Sequence, residues 1–284
     1  MTDKIRYTFS GHETFYCRAL WLKKGYDFVS QGKDFNSNNA VVDLGVGKNM
    51  VGAIRYWMRA FGLLKDNELT EIAHFLFNNE NGHDSFIEDL GTLWLLHYYL
   101  VKTKSASIYK LLFIDFHKER NNEFTREQLQ LFLKRKNSET YYANLNTENT
   151  INKDVSVLLS NYKIPKQAKS NEDFSALLLP LNLIKEIDSH TYYFNQKGRC
   201  ELVPEILLYA IIDSKCESQI VDFTQLMDLS LIFCLTKTEL IDTLLNLVKQ
   251  YPKKLNFTDD GGIKQLLFME EINKNEVLEN YYRQ

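Results

Sequence analysis

Two stretches of this chain place groups capable of acid–base, metal or phosphate chemistry close together. In Phe9-Ser10-Gly11-His12-Glu13-Thr14-Phe15, followed by Arg18, Trp21, Lys23 and Lys24, polar side chains are interleaved with aromatics. His12 and Glu13 could form an acid/base pair or supply hard metal ligands, and Arg18 could hold a phosphate, which makes His12, Glu13 and Arg18 the candidate catalytic residues. The same residues also have a purely structural reading: Ser10 as a helix N-cap, Glu13 completing a capping box, and Phe9 and Phe15 as staple and core. In the second stretch, Asp84 to His97, Glu88 and Asp89 precede the apolar run Leu90-Gly91-Thr92-Leu93-Trp94-Leu95-Leu96-His97. Paired carboxylates near a histidine are candidate ligands for Mg2+ or Mn2+ in phosphodiester chemistry. The alternative is that the acids complement a helix dipole and His97 is a satisfied core residue.

The elements that must position these groups are helical. Ala40 to Leu64 carries apolar residues at Val46, Met50, Val51, Ile54, Trp57, Met58 and Phe61, the spacing of an amphipathic helix beginning near Gly47. A small-residue turn, Leu44-Gly45-Val46-Gly47, precedes it, and Gly62 followed by Leu63-Leu64 ends it. This order suggests a helix-turn-helix within a winged-helix domain, with the helix in the recognition position. Its polar face presents Lys48, Asn49, Arg55 and Arg59 as candidate DNA contacts; the other reading is a core helix with a basic outer face. A second unit of the same kind spans Phe124 to Leu183 and beyond. It opens on a Thr125/Gln128 capping box, contains a helix over Thr150 to Leu159, and ends in a hairpin wing from Leu181-Ile184 to Thr191-Phe194. Arg126 and Lys153 are its candidate DNA contacts. A third copy is expected over Asp222 to Phe268, with helices at Phe223–Leu229 and Lys237–Gln250, then Leu255–Thr258 as a strand, Asp259-Asp260-Gly261-Gly262 as a hairpin-type turn, and Ile263–Phe268 as a strand or helix.

These readings give a fold class that is mainly α with small β-hairpin wings, α+β, built from several winged-helix or helix-turn-helix-like units. The 284 residues predict an N-terminal winged-helix-like domain with an acidic helical extension over 1–120, and a C-terminal part with one or two such units over 121–284. With 12 Gly and 4 Pro, and 44% hydrophobic residues, fibrous and disordered classes are excluded. The net charge of −3 hides an alternation: ten basic against five acidic side chains in 1–65, five against ten in 66–125, eight against four in 126–170, and eleven against eighteen in 171–284. The two basic blocks could share a phosphate-binding face, or the clustering could be chance. Walker A, G-x-S-x-G and H-E-x-x-H motifs are absent. Cys17, Cys200, Cys216 and Cys234 lack zinc-site spacing and read as reduced, buried thiols of a cytoplasmic protein. No apolar run approaches the ~18 residues of a membrane span, and no signal-peptide pattern opens the chain.

The motifs F-S-G-H-E-T-F with Arg18, Trp21 and Lys24-Gly25-Tyr26, then Leu44 to Met50 with Ile54-Arg55-Tyr56-Trp57, then Glu88-Asp89 with Thr92 to His97, carry a resemblance. Lys153-Asp154-Val155, Tyr162, Glu172-Asp173, Pro180-Leu181 and Tyr281-Tyr282 extend it over most of the chain. Together they resemble a bacterial family, formerly of unknown function, found in DNA phosphorothioation and phage-defence loci beside a cysteine desulfurase and a PAPS-reductase-like ATP pyrophosphatase. Its best described members are SspB-type DNA-nicking components. The resemblance implies a cytoplasmic protein that engages DNA for sulfur modification, as a divalent-metal-dependent nickase or as a non-catalytic adaptor that recruits the modification machinery. The partners it implies are DNA, the ATP pyrophosphatase and other phosphorothioation proteins, with no membrane and with a homodimer as the candidate assembly. In the nickase reading His12 is the acid or base, Glu13, Glu88 and Asp89 ligate Mg2+ or Mn2+, and Arg18 or Lys48 clamps the phosphate.

Overall fold

Glycine, caps and apolar spacing shape the helices of the computed structural model, which describes residues 7–119, 122–139, 147–165, 174–188, 190–196, 202–215, 217–260 and 262–283. The chain divides into two compact units, Met1–Asn195 and Gln196–Gln284. Both are mainly helical with small antiparallel sheets, as an α+β protein should be.

In the first unit, α1 (Trp21–Ser30) is followed by α2 (Ala40–Leu44), α3 (Lys48–Ala60) and the short hairpin of β1 (Leu64–Lys65) and β2 (Glu68–Leu69). Gly45, at φ +60°, closes α2 with a left-handed cap, and Gly47 is the extended N-cap of α3. The apolar stripe expected of α3 is the buried one: Val51, Ile54, Trp57 and Met58 are covered, while Lys48, Asn49 and Gly52 are exposed. Next come α4 (Glu71–Phe77) and α5 (Leu90–Lys102). α5 is apolar on nearly every face and is accordingly a central helix, buried from Gly91 to Tyr98. α6 (Ser107–Lys110) and α7 (His117–Glu119) flank a π-helical stretch, Leu111–Phe116.

The rest of this unit is β3 (Glu123–Thr125), α8 (Arg126–Ser138), α9 (Glu148–Tyr162), β4 (Ile184–Glu186) and β5 (Thr191–Phe194). The sheet order is β3-β5-β4, with Phe124 opposite Tyr192 and Ile184 opposite Phe194. Thr125 and Gln128 form the expected capping box. The boundary expected after residue 120 lies inside this first unit, because β3, only three residues later, is an edge strand of the sheet that β5 completes at Phe194.

The second unit contains α10 (Pro204–Ser214), β6 (Ile220–Asp222), α11 (Phe223–Ile232), α12 (Lys237–Gln250), β7 (Leu255–Asp260), β8 (Ile263–Phe268) and α13 (Lys274–Tyr282). Its sheet order is β6-β8-β7. α11 and α12 fall where the sequence placed them, and Ile263–Phe268 is a strand, but Asp259 and Asp260, expected in the turn, extend β7 and pair with Lys264 and Ile263. Cys17 and Cys234 are buried free thiols, and burial pushes the Cys17 thiol well above the usual range; Cys200 and Cys216 lie outside the described residues. Among the described residues no helix is long and apolar enough to cross a membrane.

Candidate functional site

The N-terminal motif is a left-handed turn rather than a helix start. Ser10, Gly11, Glu13 and Thr14 have φ of 70°, 102°, 48° and 66°, and α1 begins only at Trp21, so the capping box considered for Ser10 and Glu13 does not form. Non-glycine residues held in this region cost of order 1–3 kcal/mol each and persist only where their surroundings dictate it. Here the dictating group is Asp154 of α9. Its buried carboxylate accepts the Ser10 N–H at 3.1 Å on Oδ1 and 3.0 Å on Oδ2, and lies 2.9 Å from His12 Nε2. Gly11 is required by close approach as well as by φ: a β-carbon there would lie 2.7 Å from the Tyr56 ring.

His12 is 4% exposed, and both its ring nitrogens are engaged. The Thr14 N–H donates to Nδ1 at 3.1 Å, so Nδ1 is the acceptor, and the proton resides on Nε2, which donates to Asp154. The ring stacks on Trp57 and meets Tyr56 edge-on. Burial, and then the charge of Asp154, holds the Tyr56 phenol protonated far above its ordinary value. His12 as folded is thus a pinned structural group with no free nitrogen for acid–base work.

α9 holds the other motifs too. Asn161 accepts the Cys17 N–H at 3.1 Å and donates to the Tyr109 hydroxyl at 2.8 Å. Tyr162 hydrogen-bonds Nδ1 of fully buried His97 at 2.8 Å, which bears out the satisfied core histidine. Asp154 and Tyr162 are eight residues apart, about 12 Å along a helix axis, so one helix fixes both motif histidines. Sequence reasoning singled out Lys153, which is exposed, and missed Asp154 beside it. The available signal was an acid on the apolar stripe Ile151, Val155, Leu158, where an unpaired carboxylate would be untenable.

The exposed side of α3 borders a cleft of about 560 Å3 lined by Lys48, Gly52 and Arg55, the Asn36-Ser37-Asn38 loop, and apolar Phe35, Ala40, Val41 and Val51. Among the described residues no carboxylate lines it. Arg55 donates to Oδ1 of Asn36 at 2.8 Å and of Asn67 at 2.9 Å, and Arg59 donates to the same Asn67 oxygen at 2.9 Å. Two guanidinium groups therefore converge on one neutral acceptor, and burial together with Arg55 lowers the Arg59 pKa. Glu13 is exposed and lies along α3: a β-carbon on Gly52 would sit 3.7 Å from its Cγ. The first two motifs thus meet at Gly52.

The remaining candidates are placed elsewhere. Arg18 stacks over Trp21, its guanidinium carbon 5.5 Å from the ring centroid, in a segment paired with Ala176. Arg126 is half-buried and donates to the Asn152 carbonyl and the Ser156 hydroxyl of α9, so it ties α8 to α9. Asp89 is the N-cap of α5, accepting the Thr92 N–H at 3.1 Å, while Asp84 accepts the Glu88 and Asp89 N–H groups. Glu88 is exposed. Among the described residues no three His, Cys, Asp or Glu side chains are grouped as metal ligands, so Glu88 and Asp89 do not form a preformed metal cage with His97 or with His12.

The spatial union of the left-handed turn, α3 and α9 spans motifs from residue 9 to residue 162, and a family model described as protein of unknown function (DUF4007) matches residues 9–282. The chain belongs to the DUF4007 family. A comparison with curated proteins gives no match. Among solved structures, this DUF4007 chain is similar to a magnesium ion-bound SspB crystal structure, at 26% identity and a TM-score of 0.86, over 99% of this chain and 89% of that one. It is likewise similar to a second SspB crystal structure, at 27% identity and a TM-score of 0.85, with the same coverage.

Proposed function

We propose that this DUF4007 protein is the DNA-binding component of a bacterial DNA phosphorothioation and anti-phage defence system, engaging DNA through the exposed face of α3. The observation that carries this is the cleft beside α3, where Lys48 and Arg55 share the lining with neutral amides and, among the described residues, with no carboxylate. Cations on a helix flanked by donors of this kind suit phosphate oxygens and base edges. The similarity to SspB supports the phosphorothioation setting. The order helix, glycine turn, helix, hairpin over α2, α3, β1 and β2, and the two strand–helix–helix–hairpin sets that follow, support a winged-helix reading of the units. In that setting the protein works in the cytoplasm beside the ATP pyrophosphatase and the other sulfur-transfer proteins.

The second reading is a divalent-metal-dependent DNA nickase, favoured by the magnesium-bound state of the similar SspB structure. Its chemistry would centre on exposed Glu13 beside the α3 cleft rather than on His12, whose nitrogens are both engaged. Binding of a labelled duplex across a salt series tests the first reading: Lys48→Ala weakens binding and reduces the salt slope by about 1, and an unchanged affinity and slope would overturn the α3 assignment. Supercoiled plasmid with Mn2+ separates the two. Open circles formed by the wild type and lost in Glu13→Gln establish the nickase, whereas intact plasmid with binding retained leaves the binding component.

A further inference from the structure

The α3 cleft has more than a duplex backbone requires. Phosphate contacts on a continuous helix need donors and cations on a convex or flat face, whereas this is a concavity of about 560 Å3 with an apolar floor. Phe35 and Val51 supply that floor, and Phe35 is held in place by Phe28, 4.9 Å away centroid to centroid. Asn36, Asn38, Lys48 and Arg55 supply its polar lining, with Arg55 donating to the Asn36 amide oxygen at 2.8 Å. Gly52, whose missing side chain keeps the helix surface low, has only the Glu13 Cγ within 4 Å of where its β-carbon would be. An apolar floor, side-chain amides and adjacent cations are together the complement of an unpaired base and its phosphate: a π-face to cover, polar edges to hydrogen-bond and a charge to neutralise. The volume lies within the range of small-ligand pockets.

We infer that this cleft receives a single unpaired nucleotide, so that the protein prefers DNA carrying an extrahelical or single-stranded base over perfect duplex. The inference rests on the DNA-binding reading and names the feature of DNA the same site selects. Displacing a base from the stack costs least where it is already unpaired, which makes unpaired sites the preferred targets.

Anisotropy competition with four probes tests it: a perfect duplex, the same duplex with a one-nucleotide bulge, the bulge with an abasic residue in place of the base, and the single strand. The bulged duplex should bind about ten-fold tighter than the perfect one, in line with the value of stacking one base on an apolar platform, and the abasic bulge should lose that gain. Because the abasic probe bends as readily as the bulge, a gain retained without the base would overturn the proposal. Gly52→Phe, at an exposed position, fills the cleft and should abolish the preference for the base-containing bulge; a preference that survives in the folded variant also overturns it. Single-strand binding as tight as the bulge identifies strand separation as the source of the unpaired base, and weaker single-strand binding identifies a looped-out base within duplex. Duplex binding with no preference for the bulge rejects this inference alone, whereas no binding of any probe rejects the DNA-binding reading with it.

Discussion

The chain builds one arrangement twice and uses its third element differently each time. β3-α8-α9-β4-β5 and β6-α11-α12-β7-β8 share their order, their antiparallel sheet with the last strand in the middle, and a capping box that starts the first helix directly after the first strand, Thr125 with Gln128 and Asp222 with Gln225. The helix that follows differs. α12 buries Leu240, Leu244 and Leu247, a plain apolar stripe. α9 buries Asp154 and Asn161 within its stripe, and these partner Ser10, His12, Cys17 and Tyr109 from other parts of the first unit. Buried polar groups are tolerated only when fully satisfied, so α9 and the N-terminal motif specify each other, while α12 needs only volume and hydrophobicity. The outer face of α12 mixes Lys237 and Lys249 with Asp242 and exposed Leu245, which sets it apart from the α3 cleft, lined by Lys48, Arg55 and neutral amides.

The sharpest way to break this contrast is to remove the acid. Asp154→Ala leaves the buried His12 Nε2–H and the Ser10 N–H without an acceptor and should cost about 2–5 kcal/mol, at ~1–3 kcal/mol for each orphaned neutral donor. Denaturant unfolding of the full chain reads it, with Asp154→Asn, which keeps one acceptor oxygen, expected to recover part of the loss. A cost below 1 kcal/mol for the alanine variant would mean that α9 does not hold the motif. Leu244→Ala in α12 should lose about 3 kcal/mol, mid-range for a buried leucine, and proteolysis should report that loss in the second unit. Next in size is Asn161→Ala, which deprives the Cys17 amide and Tyr109 hydroxyl of their partner and should cost ~1–3 kcal/mol. Thr125→Ala and Asp222→Ala remove equivalent caps and should each cost about 1 kcal/mol. Costs that differ by more than two-fold would show that the two scaffolds are less alike than their topology.

What could be read in the sequence divides along a physical line. Signals that act within one or two turns were legible: the Gly45–Gly47 turn and α3, the Thr125 capping box, the acids at the front of α5, and the β4–β5 and β7–β8 hairpins. The strands β3 and β6 were missed because three residues show no usable alternation before their caps begin. Asp154 was missed as a site residue because its partner His12 is 142 residues away, a distance that no local pattern spans. The left-handed path through Ser10 to Thr14 follows from that same distant contact, which is why the local helix-start reading of S-G-H-E failed there. Arg126 was read as ligand-facing because its partners, a carbonyl and a hydroxyl of α9, become visible only in the fold.

The two wings offer the subtlest test of the comparison. The β4–β5 ladder has only three pairs, Ile184–Phe194 to Glu186–Tyr192, and its turn is held by Asp188, whose Oδ1 accepts the His190 and Thr191 N–H groups at 2.8 Å each. Those amides, His190 first, hold the Asp188 carboxyl below its ordinary value. A carboxylate with a depressed folded-state pKa contributes stability above its unfolded value that is lost as pH falls through the folded one. The β7–β8 ladder runs six pairs, Leu255–Phe268 to Asp260–Ile263, and at its far end from the turn Leu266, Leu267 and Phe268 pair with Phe257, Asn256 and Leu255, which do not titrate. Acidification should therefore shift the His190 and Thr191 amide resonances along one low-pH titration curve while the Leu266, Leu267 and Phe268 amides stay still, and Asp188→Asn should flatten that curve. Coincident movement of both wings would instead trace the acid response to a global loosening, and the resemblance between the two scaffolds would then extend to how their hairpins are held.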